Sequence, residues 1–145
     1  MHIQRKLILP YAQEDLYSLI ATVDAYPNFV PACRHVKILE HTSDFLRAEL
    51  TLGYGLFKEK FISKVYLTPF DAIEAIGESG PFHHLKVVWK FQAIGPQETE
   101  VAFSLEAQFK SKLLGHMVER GMRRADLSSF TEIIEKRMRE GTIPS

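Results

Sequence analysis

Hydrophobic and polar positions alternate through most of this chain. Ile3, Leu7 and Leu9 fall on one parity with Arg5 among them, the period-two signature of a half-buried strand that Pro10 ends. From Gln13 to Val23 the spacing changes: Leu16, Leu19, Ile20 and Val23 sit at helical intervals. A second short helical turn runs from Asp24 to Phe29 and is kept short by Pro27 and Pro31. From Val36 to Phe109 strand patterns repeat. Leu46, Ala48, Leu50 and Leu52 alternate with Arg47, Glu49 and Thr51. After a hairpin at Gly53-Tyr54-Gly55, Phe57, Phe61, Val65 and Leu67 alternate with Lys58, Lys60 and Lys64. A short strand over 72–76 precedes a glycine-rich turn. Two longer ones then carry Leu85, Val87, Trp89, Phe91 and Ala93, and Val101, Phe103, Leu105, Ala107 and Phe109 on their apolar faces. Such alternation predicts an antiparallel sheet with one face covered and one wet.

Residues 110–138 predict one long helix. Leu113, Leu114, Met117, Val118, Gly121 and Ala125 share a broad face, with Ser128 and Ser129 at its margins. Leu127, Phe130, Ile134 and Met138 form a second stripe rotated away from the first, so the helix contacts protein on more than one side or bends near Gly121. Where the first face should be bulkiest it offers Gly121, Ala125 and Ser128, which allow either close helix–sheet contact or room for a guest. The order strand, two short helices, about six strands, long helix defines an α+β fold in which a curved antiparallel sheet of about seven strands grips the final helix. All 145 residues fit one domain, long enough for a real core.

Overall charge, eighteen basic against eighteen acidic residues, points to no partner, but its distribution is uneven. Residues 69–106 carry six acids against Lys86 and Lys90, whereas 107–124 carry Lys110, Lys112, Arg120, Arg123 and Arg124 against Glu119. The basic segment is either a solvated helix face or a surface for an anionic partner. Cys33 is the single cysteine, so no intrachain disulfide forms. No apolar run approaches the roughly 18 residues a membrane span needs. The expected location is cytoplasmic, with peripheral contact at the inner face of a membrane as an extension.

Catalytic signatures are missing: there is no HExxH, GxSxG, P-loop or GxGxxG, and no metal-ligand spacing. His83 and His84 are adjacent on a strand and point to opposite faces, and His116 lies in the basic helical segment. One carboxylate stands out. Glu59 shares its parity with Phe57, Phe61 and Val65, so it either points inward, where burial would suit it to acid or hydrogen-bonding work, or lies at a wet rim. His83, at the start of the Trp89 face, is a second candidate polar contact. The balance favours a container over a catalyst.

Several motifs carry a family resemblance. Val23-Asp-Ala-Tyr26-Pro27-Asn-Phe29-Val-Pro31-Ala-Cys33, then Gly80-Pro81-Phe82 followed by Leu85 and Trp89-Lys90-Phe91, then the terminal helix with Phe130, resemble the coenzyme Q-binding, START-like proteins of the polyketide cyclase/dehydrase and lipid-transport superfamily. Many relatives carry tryptophan where this chain has Ala32. The resemblance implies a helix-grip fold with a hydrophobic cavity between sheet and helix. It implies ubiquinone or a related polyprenyl lipid as ligand, no required cofactor or metal, and a chaperone or carrier role in respiration. Relatives described as ribosome-association toxins imply an alternative, binding to the large ribosomal subunit to block subunit joining. DNA is not an expected partner. A cyclase or hydrolase acting on an apolar substrate through Glu59 is a third reading.

On this resemblance, Phe57, Glu59, Phe61, His83, Val87, Trp89, Phe91, Phe103 and Leu105 line the sheet wall, and Leu114, Met117, Val118, Gly121 and Ala125 the helical wall. Tyr26, Phe29 and Pro31 belong to a flap over one end. Lys110, Lys112, Arg120, Arg123 and Arg124 face a membrane surface or ribosomal RNA.

Overall fold

Wherever apolar and polar residues alternate, the computed structural model forms a hydrogen-bonded ladder. Its elements are β1 (His2–Leu9), α1 (Gln13–Ala21), a 3-10 helix (Val23–Asn28), β2 (Cys33–His41), β3 (Phe45–Tyr54), β4 (Phe57–Thr68), β5 (Ala72–Gly77), β6 (Phe82–Gly95), β7 (Glu98–Phe109), α2 (Lys112–Arg124) and α3 (Leu127–Arg139). The structure describes residues 1–28, 33–77, 79–124 and 127–139, and the backbone alone for Tyr54, 121–124, 127–131 and Ile133.

The seven strands form one antiparallel sheet in the order β1-β7-β6-β5-β4-β3-β2, so the first two strands in sequence occupy opposite edges. This is the helix-grip arrangement. Residues directly opposite each other in the ladders share a face. The buried set Leu46, Ala48 and Leu50 on β3 stands against Val65, Ser63 and Phe61 on β4, which defines the inner face.

One end of that face is sealed by α1. Leu16, Tyr17, Leu19 and Ile20 are buried with Leu9, Leu67, Ile73, Phe91 and Val101, each full burial of such a side chain contributing about 1.5–3 kcal/mol. Tyr17 meets Phe91 and Phe70 edge-on at 5.8 and 5.5 Å. Polar bonds fix the seat: the Gln13 amide donates to the Phe91 carbonyl (3.0 Å), and the buried Thr99 hydroxyl donates to the Tyr11 carbonyl (2.8 Å).

The expected single helix over 110–138 is described as α2 and α3, with residues 125 and 126 outside the described set. It starts at Lys112 for a local reason. The Lys110 N–H donates to the Pro81 carbonyl (2.9 Å), and the Ser111 hydroxyl accepts from the Leu114 N–H (3.2 Å), an N-cap that satisfies one of the helix's orphan donors. Gly115 sits over Phe109, where even an added Cβ would make only ordinary van der Waals contact at 3.5 Å. Among the described side chains, Leu114 and Ile134 are the buried apolar residues of α2 and α3.

Candidate functional site

Between two sealed ends, the middle of the inner face is less deeply buried than its ends. Phe91 and Val101 are buried at the α1 end. At the other end Phe82 packs edge-on against Phe61 (5.2 Å) and tilted against Phe109 (5.0 Å), with Leu85 and Ala107 buried beside them. In the middle, Val87 and Trp89 on β6 and Leu105 and Phe103 on β7 are opposite pairs that are half-buried. Trp89 and Phe103 lie 4.6 Å apart at 49°, and Trp89 stacks parallel to Phe91 at 6.5 Å. Leu7 and Ile3 of β1 are likewise half-buried, and Arg5 between them, opposite Phe103, is exposed with its guanidinium donating to the Gln4 carbonyl (2.8 Å). The result is an aromatic and aliphatic wall with one cation at its edge.

Of the residues expected on the helical wall, Leu114 is buried and Met117 and Val118 are half-buried on α2. Met117 reaches the β3–β4 hairpin, its methyl 3.9 Å from where a Cβ on Gly55 would stand. Of the other expected helical residues, Ala125 lies outside the described residues, and the surroundings of Gly121 are among those not described. Lys110, Lys112 and Arg120 are exposed, and the side chains of Arg123 and Arg124 are outside the described set.

Two expected polar contacts are corrected. Glu59 keeps the inner parity but stands exposed at a rim position, beyond buried Phe61, opposite Leu52 and next to the hairpin, with half-buried Phe57 at the same rim. His83 is exposed because the β6–β7 ladder shifts register between Phe82 and His84, and the extra residue of a bulge has no place in the alternation. His84 pairs outward with Glu106 (3.5 Å). Neither Glu59 nor His83 converges with another group toward a reaction centre, and among the described residues no three metal-ligating side chains come together.

Tyr26 closes the α1 end by packing against the core rather than standing as a mobile lid, and its hydroxyl donates to the Ile20 carbonyl. Burial, helped by nearby Cys33, pushes its ionisation far above the ordinary 10.0, and burial also raises the Cys33 thiol. Phe29 and Pro31 lie outside the described residues. Sequence reasoning missed Arg137, a cation only 9% exposed on α3. Its signal was present: Arg137 follows Ile134 by three on the second helical stripe. A depression of about 520 Å³ also lies over Val88, Ala102 and Ser104, walled by Lys6 and Lys90, but on the outer face and polar at its rim.

Residues 9–128 match the family model for polyketide cyclase/dehydrase and lipid transport. The chain is 35% identical over 113 residues to the ribosome association toxin RatA of Pseudomonas aeruginosa, covering 78% of each chain. It is also 35% identical over 115 residues to the mitochondrial coenzyme Q-binding protein COQ10 of Dictyostelium discoideum, covering 77% of this chain and 56% of that one. An 18 kDa Caulobacter crescentus protein of known solution structure superposes with a TM-score of 0.74 at 29% identity, over 97% of this chain and 99% of that one. The ZhuI aromatase/cyclase of Streptomyces superposes at 0.78 over 98% of both chains, but at 18% identity, a likeness of fold alone.

Proposed function

The chain belongs to the polyketide cyclase/dehydrase and lipid-transport family, and from that premise we propose that it binds ubiquinone or a similar polyprenyl lipid between the inner face of the sheet and α2, acting as a carrier in respiration rather than as a catalyst. The observation that carries this reading is the half-buried Val87–Trp89–Phe103–Leu105 wall set between two sealed ends. Partly exposed apolar surface on the inner face of a sheet is the lining an apolar guest requires. A quinone ring stacks on Trp89 and Phe103, Leu114 and the adaptable Met117 receive prenyl methyls, and Arg5 offers N–H donors to a ring carbonyl. Each methylene withdrawn from water contributes roughly 0.8 kcal/mol, so two isoprene units give useful affinity. The names of the COQ10 relatives support the ligand class. Lys110, Lys112 and Arg120, beside Leu113 at 64% exposure, are suited to peripheral contact with anionic lipid at the helix end.

Trp89 is the only tryptophan, so its fluorescence reports on the wall directly. Saturable quenching by a short-chain ubiquinone, together with a prenylquinone in the organic extract of purified protein, is the expected result. An empty extract with unquenched emission overturns the reading.

A second reading, association with the large ribosomal subunit, is favoured by the names of RatA relatives at 30–35% identity. It predicts salt-sensitive co-sedimentation with that subunit, and protein that stays in the supernatant at low salt removes it.

A further inference from the structure

The outer face of the sheet is divided by charge. Over β1, β5, β6 and β7 the charges balance and pair: Lys6 with Glu100 (3.5 Å), Lys86 with Glu74 (3.8 Å), His84 with Glu106 (3.5 Å). Over β2, β3 and β4 they do not balance. The ladder registers put Lys37 beside Glu49, Arg47 beside Lys64, and Lys60 beside Thr51, all on the face opposite buried Leu46, Ala48 and Leu50. Lys58 follows opposite Gly53, and the Arg34 side chain lies where a Cβ of Gly53 would project, so this glycine lets the arginine lie flat on the sheet. Among the described residues of these three strands, six cations thus share one face with Glu49 and Glu40. Only the long 3.9 Å contact of Lys60 to Glu49 is an internal pairing of Lys60, and Arg34, Lys37 and Lys58 have no ion pair among the described residues.

Next to the Arg47–Lys64 pair stands an aromatic one. Phe45 and Tyr66 are opposite in register, their rings 5.4 Å apart and tilted by 54°, and Tyr66 is 44% exposed. Aligned cations alongside an exposed aromatic ring on a rigid sheet form the combination that holds single-stranded nucleic acid, the cations tracking phosphates and the ring stacking an unpaired base. A lipid surface is less well served, because the aliphatic side chain within the patch, Ile62, is half-buried, and exposed Leu56 stands apart from it at the tip of the β3–β4 hairpin.

We propose that the outer face of β2–β4 is a binding surface for single-stranded RNA, engaged through Arg34, Lys37, Lys58 and Lys60 and through stacking on Tyr66. It lies on the opposite side of the sheet from the quinone wall and does not depend on that reading. It gives the ribosome reading a contact surface on the sheet, yet isolated RNA as the probe tests it separately.

The test uses fluorescence anisotropy of a labelled 12-nucleotide single-stranded RNA with the full chain. Neutralising about four phosphates gives a log–log salt slope of about −2.8 for single strands, so affinity falls roughly 50-fold between 50 and 200 mM salt. The double variant Lys37→Glu/Lys58→Glu abolishes binding at 50 mM salt and Lys37→Arg/Lys58→Arg retains it. Tyr66→Ser weakens binding on the order of tenfold. Melting temperature and Trp89 emission, unchanged in each variant, establish that the fold survives. Absence of RNA binding by the wild type at 50 mM salt overturns the proposal, as does equal binding by the charge-reversed variant. Binding to phosphatidylserine vesicles that the double reversal removes, with no binding to RNA, overturns it in favour of a membrane.

Discussion

Trp89 and Phe103 face each other across β6 and β7 with ring centroids 4.6 Å apart, on the inner face of the sheet, and both are half-buried. The pair holds the middle of the wall open between the α1 seal and the Phe61–Phe82–Phe109 cluster. Because Phe103 is only half-buried, Phe103→Ala should cost about 1–2 kcal/mol, below the roughly 3–5 typical of a closed core. Its larger effect falls on quinone quenching of Trp89, with affinity lowered at least about tenfold. Denaturant melts and quenching titrations of the same sample separate the two, and a loss of stability with quinone affinity untouched would remove Phe103 from the wall.

Gly80 and Gly95 make a matched pair. Gly80 has φ +77° and sits against the Lys60 carbonyl, where an added Cβ would also come within 2.7 Å of the Phe61 Cβ. Gly80→Ala should therefore lose at least about 2 kcal/mol. A Cβ on Gly95 would meet nothing nearer than the Glu98 Cβ at 3.9 Å, so Gly95→Ala should leave stability unchanged or raise it by about 0.5 kcal/mol. Equal unfolding midpoints for the two would contradict the packing described for the turn before β6.

Alkaline stability should depend on Tyr26. Burial raises its ionisation above the ordinary 10.0, so the folded state holds that proton more tightly than the unfolded chain. The contribution is complete below about pH 10 and is lost as pH rises toward the folded value. The melting temperature should fall on raising pH from 9 to 12. Tyr26→Phe should flatten the decline, leaving the smaller parts from Cys33 and Tyr17, whose ionisations burial also raises, while costing about 1 kcal/mol at pH 7 for the lost bond to Ile20. An identical pH profile for wild type and variant would show that Tyr26 is not its source.

Ser111 anchors the start of α2. Ser111→Ala frees the Leu114 N–H and should cost about 1 kcal/mol. Because Leu114 and Met117 follow on the first turns, amide exchange should speed up first there and leave α1 unchanged. Uniform acceleration across both helices would instead indicate global destabilisation.

The sheet was legible in the sequence because period-two alternation is a local property: Val101, Phe103, Leu105 and Ala107 needed no tertiary information to be set on one face. The α1 contact was equally plain in Leu16, Leu19 and Ile20. Parity failed where the count slips, at the bulge that frees His83, and at the rim, where Glu59 stands. Alternation says which face a residue takes, not how deeply it is buried there. Charge was only partly legible for a related reason. Summing along the chain singled out Lys110 to Arg124, whereas ladder register gathers Arg34, Lys37, Arg47 and Lys58 from three separate strands into one patch. Arg137 was hidden by its chemistry, since a cation on an apolar stripe reads as the edge of the stripe until the packing is seen.

The strand order has a consequence for the timing of folding. β1 is synthesised first but pairs only with β7, His2 opposite Glu106 and Leu9 opposite Thr99. Its backbone donors and acceptors, with the inner-face residues Ile3, Leu7 and Leu9, therefore wait unpartnered until nearly a hundred further residues have left the ribosome. Closing so long a loop places the edge pairing among the slow, non-local steps. Until that step is made, the sheet presents an open edge on β7.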